Sequence, residues 1–162
     1  MQLVLNEFYA KLGIASILNV SGSAFVQARS KLLHTVFIEL NQRGVVEVFY
    51  SNEDNIQRYR GFRILAIDGS KIVLPFTKEI NSFFGTIKIA NQLETTKGEY
   101  PVGLASVLYD VLNNIAIDSI LSHAKAYEVD LAIEHSSSYK QDKDLITCDR
   151  NYTSYLFLAF MI

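Results

Sequence analysis

The stretch Arg63-Ile64-Leu65-Ala66-Ile67-Asp68-Gly69-Ser70-Lys71-Ile72-Val73-Leu74-Pro75 decides how this chain is read. Four consecutive apolar residues, Ile64 to Ile67, match a strand covered on both faces, and Asp68-Gly69-Ser70 reads as the turn that closes it. Residues 71–75 then read as a return strand. Downstream, 81–98 is loop with room for one strand, and 102–112 and 115–121 lean toward β structure. The Asn113-Asn114 pair between them tolerates the positive φ of a hairpin turn. Residues 126–135 take a helical period, with Val129, Ala132 and Ile133 inward and Glu128, Asp130 and Glu134 outward. A last short strand, Leu145-Ile146-Thr147-Cys148, also ends in an aspartate, Asp149, and a helix begins after Tyr152.

A parallel pairing of this last strand with the first requires a crossover, which the helix at 126–135 supplies. Asp68 and Asp149 would then leave the sheet at one edge, 81 residues apart in sequence but within reach of a shared cation. A hard divalent ion such as Mg²⁺ takes oxygen ligands and keeps several waters, so two or three carboxylates and a phosphate are enough. Taken singly, an aspartate after a β run is more often a turn residue or helix cap.

Upstream, residues 23–40 read as one helix with Phe25, Ala28, Leu32, Leu33, Val36, Phe37 and Leu40 on a single face. Ser21 or Ser23 caps its start, and Gly44 sits where a helix end takes positive φ. Gln27, Arg29, Lys31 and His34 occupy the opposite face. Residues 8–18 also read as helical, and the polar turn 19–22 joins the two as an αα-hairpin or a helix-turn-helix.

The composition bounds what this layout can be. At 162 residues the chain is about one domain, and 49% hydrophobic residues can fill a core, which excludes a mainly disordered protein. A net charge of −2 excludes coating of nucleic acid by bulk charge. Up to Arg63 there are seven basic and five acidic residues, and beyond it eight and twelve, so the first part is the better candidate for meeting DNA or RNA. Cys148 is the only cysteine, so an internal disulfide is excluded and a reducing, cytoplasmic setting is expected. There is no signal-peptide pattern and no run of about 18 apolar residues, so no membrane association is expected. The apolar run 155–162 at the end of the sequence hints at truncation. His34, His123 and His135 have no spacing that suggests a metal site, and no role is assigned to them.

Four segments occur in order: Gln27-Ala28-Arg29-Ser30-Lys31; Leu65-Ala66-Ile67-Asp68-Gly69-Ser70 with Leu74-Pro75; Tyr109-Asp110-Val111-Leu112-Asn113; and Asp149-Arg150-Asn151-Tyr152. Together they resemble the Asp-Asp-Glu transposases of bacterial insertion sequences, in the group named after insertion sequence four. The resemblance covers residues 23–155. It implies an α/β fold with a ribonuclease-H-like mixed sheet, incomplete at the C-terminus, preceded by an N-terminal helical segment. Residues 1–56 would form that helical, DNA-contacting segment, and 57–162 the N-terminal part of the catalytic domain.

The resemblance further implies that Asp68 and Asp149 are catalytic and bind Mg²⁺ or Mn²⁺. In that family two such ions activate water to nick a transposon end, then activate the freed 3′-hydroxyl to attack target DNA. Arg29, Lys31, Lys71 and Arg150 would contact double-stranded DNA, with Gly69, Asn151 and Tyr152 shaping the site, and a homodimer would assemble on the DNA. For Arg150 a salt bridge, and for Lys71 simple exposure, remain open readings.

Two departures from the family pattern stand out. Asn151 replaces the glycine of an Asp-Arg-Gly-Tyr motif, and asparagine tolerates left-handed backbone angles. None of the nine tyrosines has arginine three positions on, so the signature carrying the third carboxylate, Tyr-x2-Arg-x3-Glu-x6-Lys, is missing. An acid on the helix at 126–135 could replace it, although such a face is usually solvated. Two alternatives remain beside the transposase: a non-catalytic DNA-binding remnant, and an unrelated metal-dependent nuclease or phosphatase on a similar sheet.

Overall fold

The computed structural model describes residues 2–11, 13, 20–90, 97–139, 142–152 and 154–161. They fall into two compact units, Met1–Leu40 and Asn41–Ile162. The first holds α1 (Gln2–Lys11), α2 (Gly22–Arg29) and the start of α3 (Thr35–Asn41). The single helix expected over 23–40 is therefore two. Ser21 caps α2 by accepting from the Ala24 amide at 3.2 Å. At the other end the Ser30 hydroxyl donates to the Gln27 carbonyl at 2.8 Å, and the Lys31 and Leu32 amides turn back onto Ala28 and Arg29. Such local bonds compete with helix continuation. Arg29 thus ends α2 and Lys31 lies in the turn after it, both exposed, instead of sharing one long face. Of the helix expected at 8–18, residues 12 and 14–18 lie outside the described residues, and the described helix begins earlier, at Gln2.

In the second unit helical structure continues through a π-helical turn, Gln42–Val46, into α4 (Glu47–Tyr50). Gly44 stays inside that turn without positive φ, so it ends no helix. The Asn41 and Gln42 amides donate to the Ala116 and Ile117 carbonyls at 3.0 and 2.7 Å, tying this segment to the sheet.

The sheet is mixed and five-stranded: β1 (Arg63–Val73), β2 (Thr86–Ala90), β3 (Lys97–Asp110), β4 (Ile115–His123) and β5 (Asp144–Cys148). From Leu65 to Val73 β1 pairs antiparallel with β3, β3 pairs antiparallel with β4 and its first part with β2, while β5 lies parallel to the start of β1, Arg63 to Ile67. A helix not foreseen from the sequence, α5 (Lys78–Phe84), precedes β2 and is capped by Thr77. The expected hairpin turn is present over 111–114, with Asn114 at φ +56°.

The turn expected at Asp68-Gly69-Ser70 does not form. These residues pair with Val107, Ser106 and Ala105 in one unbroken eleven-residue strand. Glycine permits a turn without compelling one, and the long partner β3 supplies ladder positions beyond Ile67.

Residues alternate across β1, and Leu65 and Ile67 point into a core shared with Leu108, Ile117, Ala132, Tyr152 and Phe157. Ala132 comes from α6 (Glu128–Glu134), the crossover helix before β5, and Phe157 from α7 (Tyr155–Met161). Among the described residues no helix is long and apolar enough to cross a membrane.

At the start of the parallel pair, Arg63 Nε and Nη2 both donate to the Asp144 carboxylate, each at 2.6 Å. The Asp144 side chain is fully buried. The guanidinium also lies 4.9 Å from the Tyr50 ring centroid. Burial alone would lower the Arg63 pKa, but Asp144 and Tyr50 more than offset this and raise it. Breaking a buried pair strands the surviving charge, typically costing about 3–5 kcal/mol. Replacing Asp144 with Leu, or Arg63 with Met, should therefore each destabilise by about that amount in urea denaturation, and the double replacement by less than the sum of the two.

Candidate functional site

The parallel register runs from Arg63 opposite Asp144 to Ile67 opposite Cys148. One step further along each chain stand Asp68 and Asp149. Register partners on parallel neighbours share a face. The pairing ends at Ile67 and Cys148; carried one step further it would set the two carboxylates level on the face opposite Leu65 and Ile67. Both aspartates are exposed. Asp149 directly follows β5, as expected, whereas Asp68 lies in the middle of β1 and not at a strand end. The Asn151 amide donates to Asp149 Oδ2 at 3.2 Å. Asn151 does not take the left-handed conformation expected of it: it lies in a 3-10 turn, Arg150–Tyr152, and contributes through its side chain. Arg150 opens that turn and is exposed. Tyr152 closes it with its ring in the core, 6.1 Å from that of Phe157.

The expectation that Glu128 points outward is also overturned. Its side chain lies over β1 at Gly69, where a Cβ would come within 2.8 Å of Glu128 Cγ and 3.0 Å of Cδ. The missing side chain at 69 leaves the space that the Glu128 side chain occupies, and a Cβ there would make that flexible side chain shift. The buried Tyr152 hydroxyl has no hydrogen-bond partner of good geometry. Burial pushes the Tyr152 phenol well above its ordinary range, and the charges of Glu128 and Asp68 push it further. Burial likewise raises the Cys148 thiol, with Asp149 adding to the effect. Asp130 and Glu134, on the same helix, are exposed as expected.

One constellation has no local sequence signal. His135, fully buried just past α6, sets Nδ1 2.7 Å from Asp118 Oδ2 and Nε2 3.1 Å from the Ser106 hydroxyl. The order Ser-His-Asp is that of an activated nucleophile. Here Ser106 and His135 have no exposed surface, so no substrate reaches the hydroxyl. The three residues instead tie the end of α6 to β3 and β4. Their positions, 106, 118 and 135, become neighbours only once the hairpin and the crossover are in place.

Lys71, further along β1, is exposed and borders a cleft of about 520 Å³. Leu104, Lys125, Tyr127, Glu128 and Asn151 contribute to its walls. Among the described residues no three His, Cys, Asp or Glu side chains gather closely enough to hold a metal ion. Comparisons with protein-family models, with curated proteins and with solved structures find no match to the chain.

Two tests follow from this packing. Gly69→Ala should displace the flexible Glu128 side chain at a cost of no more than about 1 kcal/mol, the low end of the overpacking range, and Glu128→Ala in the same chain should recover the loss in urea melts. Tyr152 has its pKa raised in the folded state from an ordinary 10.0. The stability its neutral form contributes is therefore full below pH 10 and is lost as pH climbs toward the folded value. Denaturation between pH 9 and 11.5 should show that decline, at most about 1.4 kcal/mol per pH unit for one phenol, and Tyr152→Phe should flatten it.

Proposed function

We propose that the second unit is the N-terminal part of a ribonuclease-H-like catalytic domain, and that the chain acts in DNA transposition as a transposase of the insertion-sequence-four group. The observation that carries this reading is the parallel register of β1 and β5, which ends at Ile67 and Cys148, one residue before Asp68 and Asp149. The strand order supports it. Three antiparallel strands, β1, β3 and β4, are followed by a helix and then by β5, parallel to β1 on its other side.

The donor chemistry suits Mg²⁺ or Mn²⁺, because two exposed carboxylates leave room for waters and phosphate oxygens in the remaining positions. Asp68 and Asp149 would hold the ion, and Asn151 fixes one oxygen of Asp149 so that the other can face it. Bound there, a divalent ion would lower the pKa of an attacking water or 3′-hydroxyl and offset charge on the phosphodiester. Lys71 and Arg150, on the strand and turn that carry the two aspartates, would meet the DNA backbone as cations. Arg29 and Lys31 would contact double-stranded DNA from the first unit, and two copies would assemble on the transposon ends. The chain would work in the cytoplasm.

A second reading, a non-catalytic DNA-binding remnant, is favoured by one feature of the sequence: no tyrosine begins the Tyr-Arg-Glu-Lys spacing that carries the third carboxylate. Calorimetric titration with Mn²⁺ tests the shared premise of both readings. The chain should bind the ion, and Asp68→Asn or Asp149→Asn should each weaken binding roughly tenfold or more, the range seen when a metal's surroundings are perturbed. Equal affinity in all three proteins would overturn the paired-aspartate site. Nicking of supercoiled DNA in Mn²⁺, lost in both variants, would select the enzyme; DNA binding without nicking would select the remnant.

A further inference from the structure

The outer edge of β5 is where this sheet is left open. β5 pairs with β1 on one side, and among the described residues no strand pairs with it on the other. Along a strand the N–H and C=O of one residue point to the same side, and the side alternates from residue to residue. The Lys143 carbonyl accepts from the Arg63 amide at 3.1 Å, so its backbone faces β1. Leu145 and Thr147 therefore face β1 as well. The backbone groups of Ile146 and Cys148 face outward, where no described backbone group meets them. Other edges of the sheet carry features that discourage pairing. On β4 the Asn41 and Gln42 side-chain amides donate to the Ala116 and Ile117 carbonyls, and β2 carries the exposed Lys88. Leu145-Ile146-Thr147-Cys148 has no charge and no proline, and Leu145 is 52% exposed.

We propose that β5 pairs antiparallel with β5 of a second copy of this chain, about a two-fold axis at Ile146, joining two five-stranded sheets into one. Hydrogen bonding and charge select that register. Outward-facing groups must oppose outward-facing groups, which allows an axis at Leu145, Ile146 or Thr147. The axis at Ile146 opposes all five residues of β5: Asp144 with Cys148, Leu145 with Thr147, and Ile146 with Ile146. It also brings Lys143, just before the strand in one copy, to the end where Asp149 follows the strand in the other. Both are exposed. One step further out, Asp142 and Arg150 are opposite in sign in the same way. An axis at Leu145 would set Lys143 against Thr147, and one at Thr147 would set it against Asn151, so either loses the attraction. Two-fold symmetry makes each opposition occur twice. In strand addition the main chain supplies affinity and the side chains supply selectivity. The flanks of β5 are complementary to themselves, which is the reason to place a second copy here and not a foreign peptide. This pairing requires neither DNA nor a metal ion, and it does not depend on the reading of Asp68 and Asp149 as a catalytic pair.

The test is sedimentation equilibrium of the full chain in EDTA without nucleic acid. The chain should form a dimer. Lys143→Glu should raise the dissociation constant roughly tenfold or more, because like charges then face each other twice, and Asp149→Lys in the same chain should restore it. Register is read by disulfide cross-linking in a Cys148→Ser background. A mixture of Leu145→Cys and Thr147→Cys chains should give a covalent heterodimer on oxidation, since directly opposed residues of a non-hydrogen-bonded pair lie about 4.5 Å apart at Cα, within disulfide reach. Neither chain should cross-link by itself. Lys143, Leu145, Thr147 and Asp149 are all exposed, so these variants should keep the fold. A chain that stays monomeric at high micromolar concentration overturns the proposal. So does a dimer that Lys143→Glu leaves unchanged or Asp149→Lys fails to rescue, or a mixture that gives no covalent heterodimer.

Discussion

The bidentate pairing of Arg63 with Asp144 is the constraint on which the geometry of the sheet turns. A parallel strand five residues long, joined to its partner only through a long crossover, has few local means of finding its register. A slip of one residue would turn Ile146 and Cys148 away from the core. The guanidinium fork accepts a carboxylate in one orientation, and it does so at the first register pair. Asp68 lies five residues beyond Arg63, and Asp149 five beyond Asp144. Equal arms from one fixed point would bring the two aspartates level if the register ran one residue beyond Ile67 and Cys148. Tyr50 extends the anchor: its ring lies beside Arg63, and its hydroxyl donates to the buried Asp110 at 2.6 Å. Asp110 in turn receives the Asn113 amide at the hairpin. The start of β1, the start of β5 and the β3–β4 turn are thus held by one polar network.

The crossover helix is pinned at both ends to the strands it covers. At its beginning Glu128 lies in the space left by the missing side chain of Gly69. Beyond its end His135 reaches Asp118 on β4 and Ser106 on β3. Between these points Leu131 and Ala132 are buried. Apolar packing supplies most of the attraction in such an arrangement but is non-directional, so the polar contacts at the two ends decide where along the sheet the helix rests. That placement sets Glu128 over Gly69 and leaves Tyr127 exposed beside the cleft.

The parts legible in the sequence were those governed by local rules. The β3–β4 hairpin, with Asn114 at positive φ, the crossover helix and the short strand before Asp149 all follow from residue type and period. The unforeseen parts depend on partners distant in the chain. Asp68-Gly69-Ser70 has turn chemistry, yet a long neighbouring strand draws it into the ladder. The helix over 23–40 has one apolar period throughout, yet Ser30 and the following amides close it early. Glu128 reads as a solvated acid until the glycine beneath it is seen. The Arg63–Asp144 pair leaves no trace in the pattern, because either residue alone is an ordinary charge at a strand boundary. For the candidate site, the two aspartates could be picked from their β-run contexts, while Asn151's hold on Asp149 and the cleft walls required the fold.

The equal arms also determine where this fold can tolerate insertions and deletions. One residue gained or lost between Arg63 and Asp68, or between Asp144 and Asp149, would set the carboxylates out of step and turn one of them to the opposite side of the sheet. The stretch from His135 to β5 bears no such burden, since its ends are positioned by the helix and the ion pair and not by its length. Divergence in chain length should therefore collect between His135 and Asp144, and the two five-residue spans should stay invariant in length even where their sequences drift.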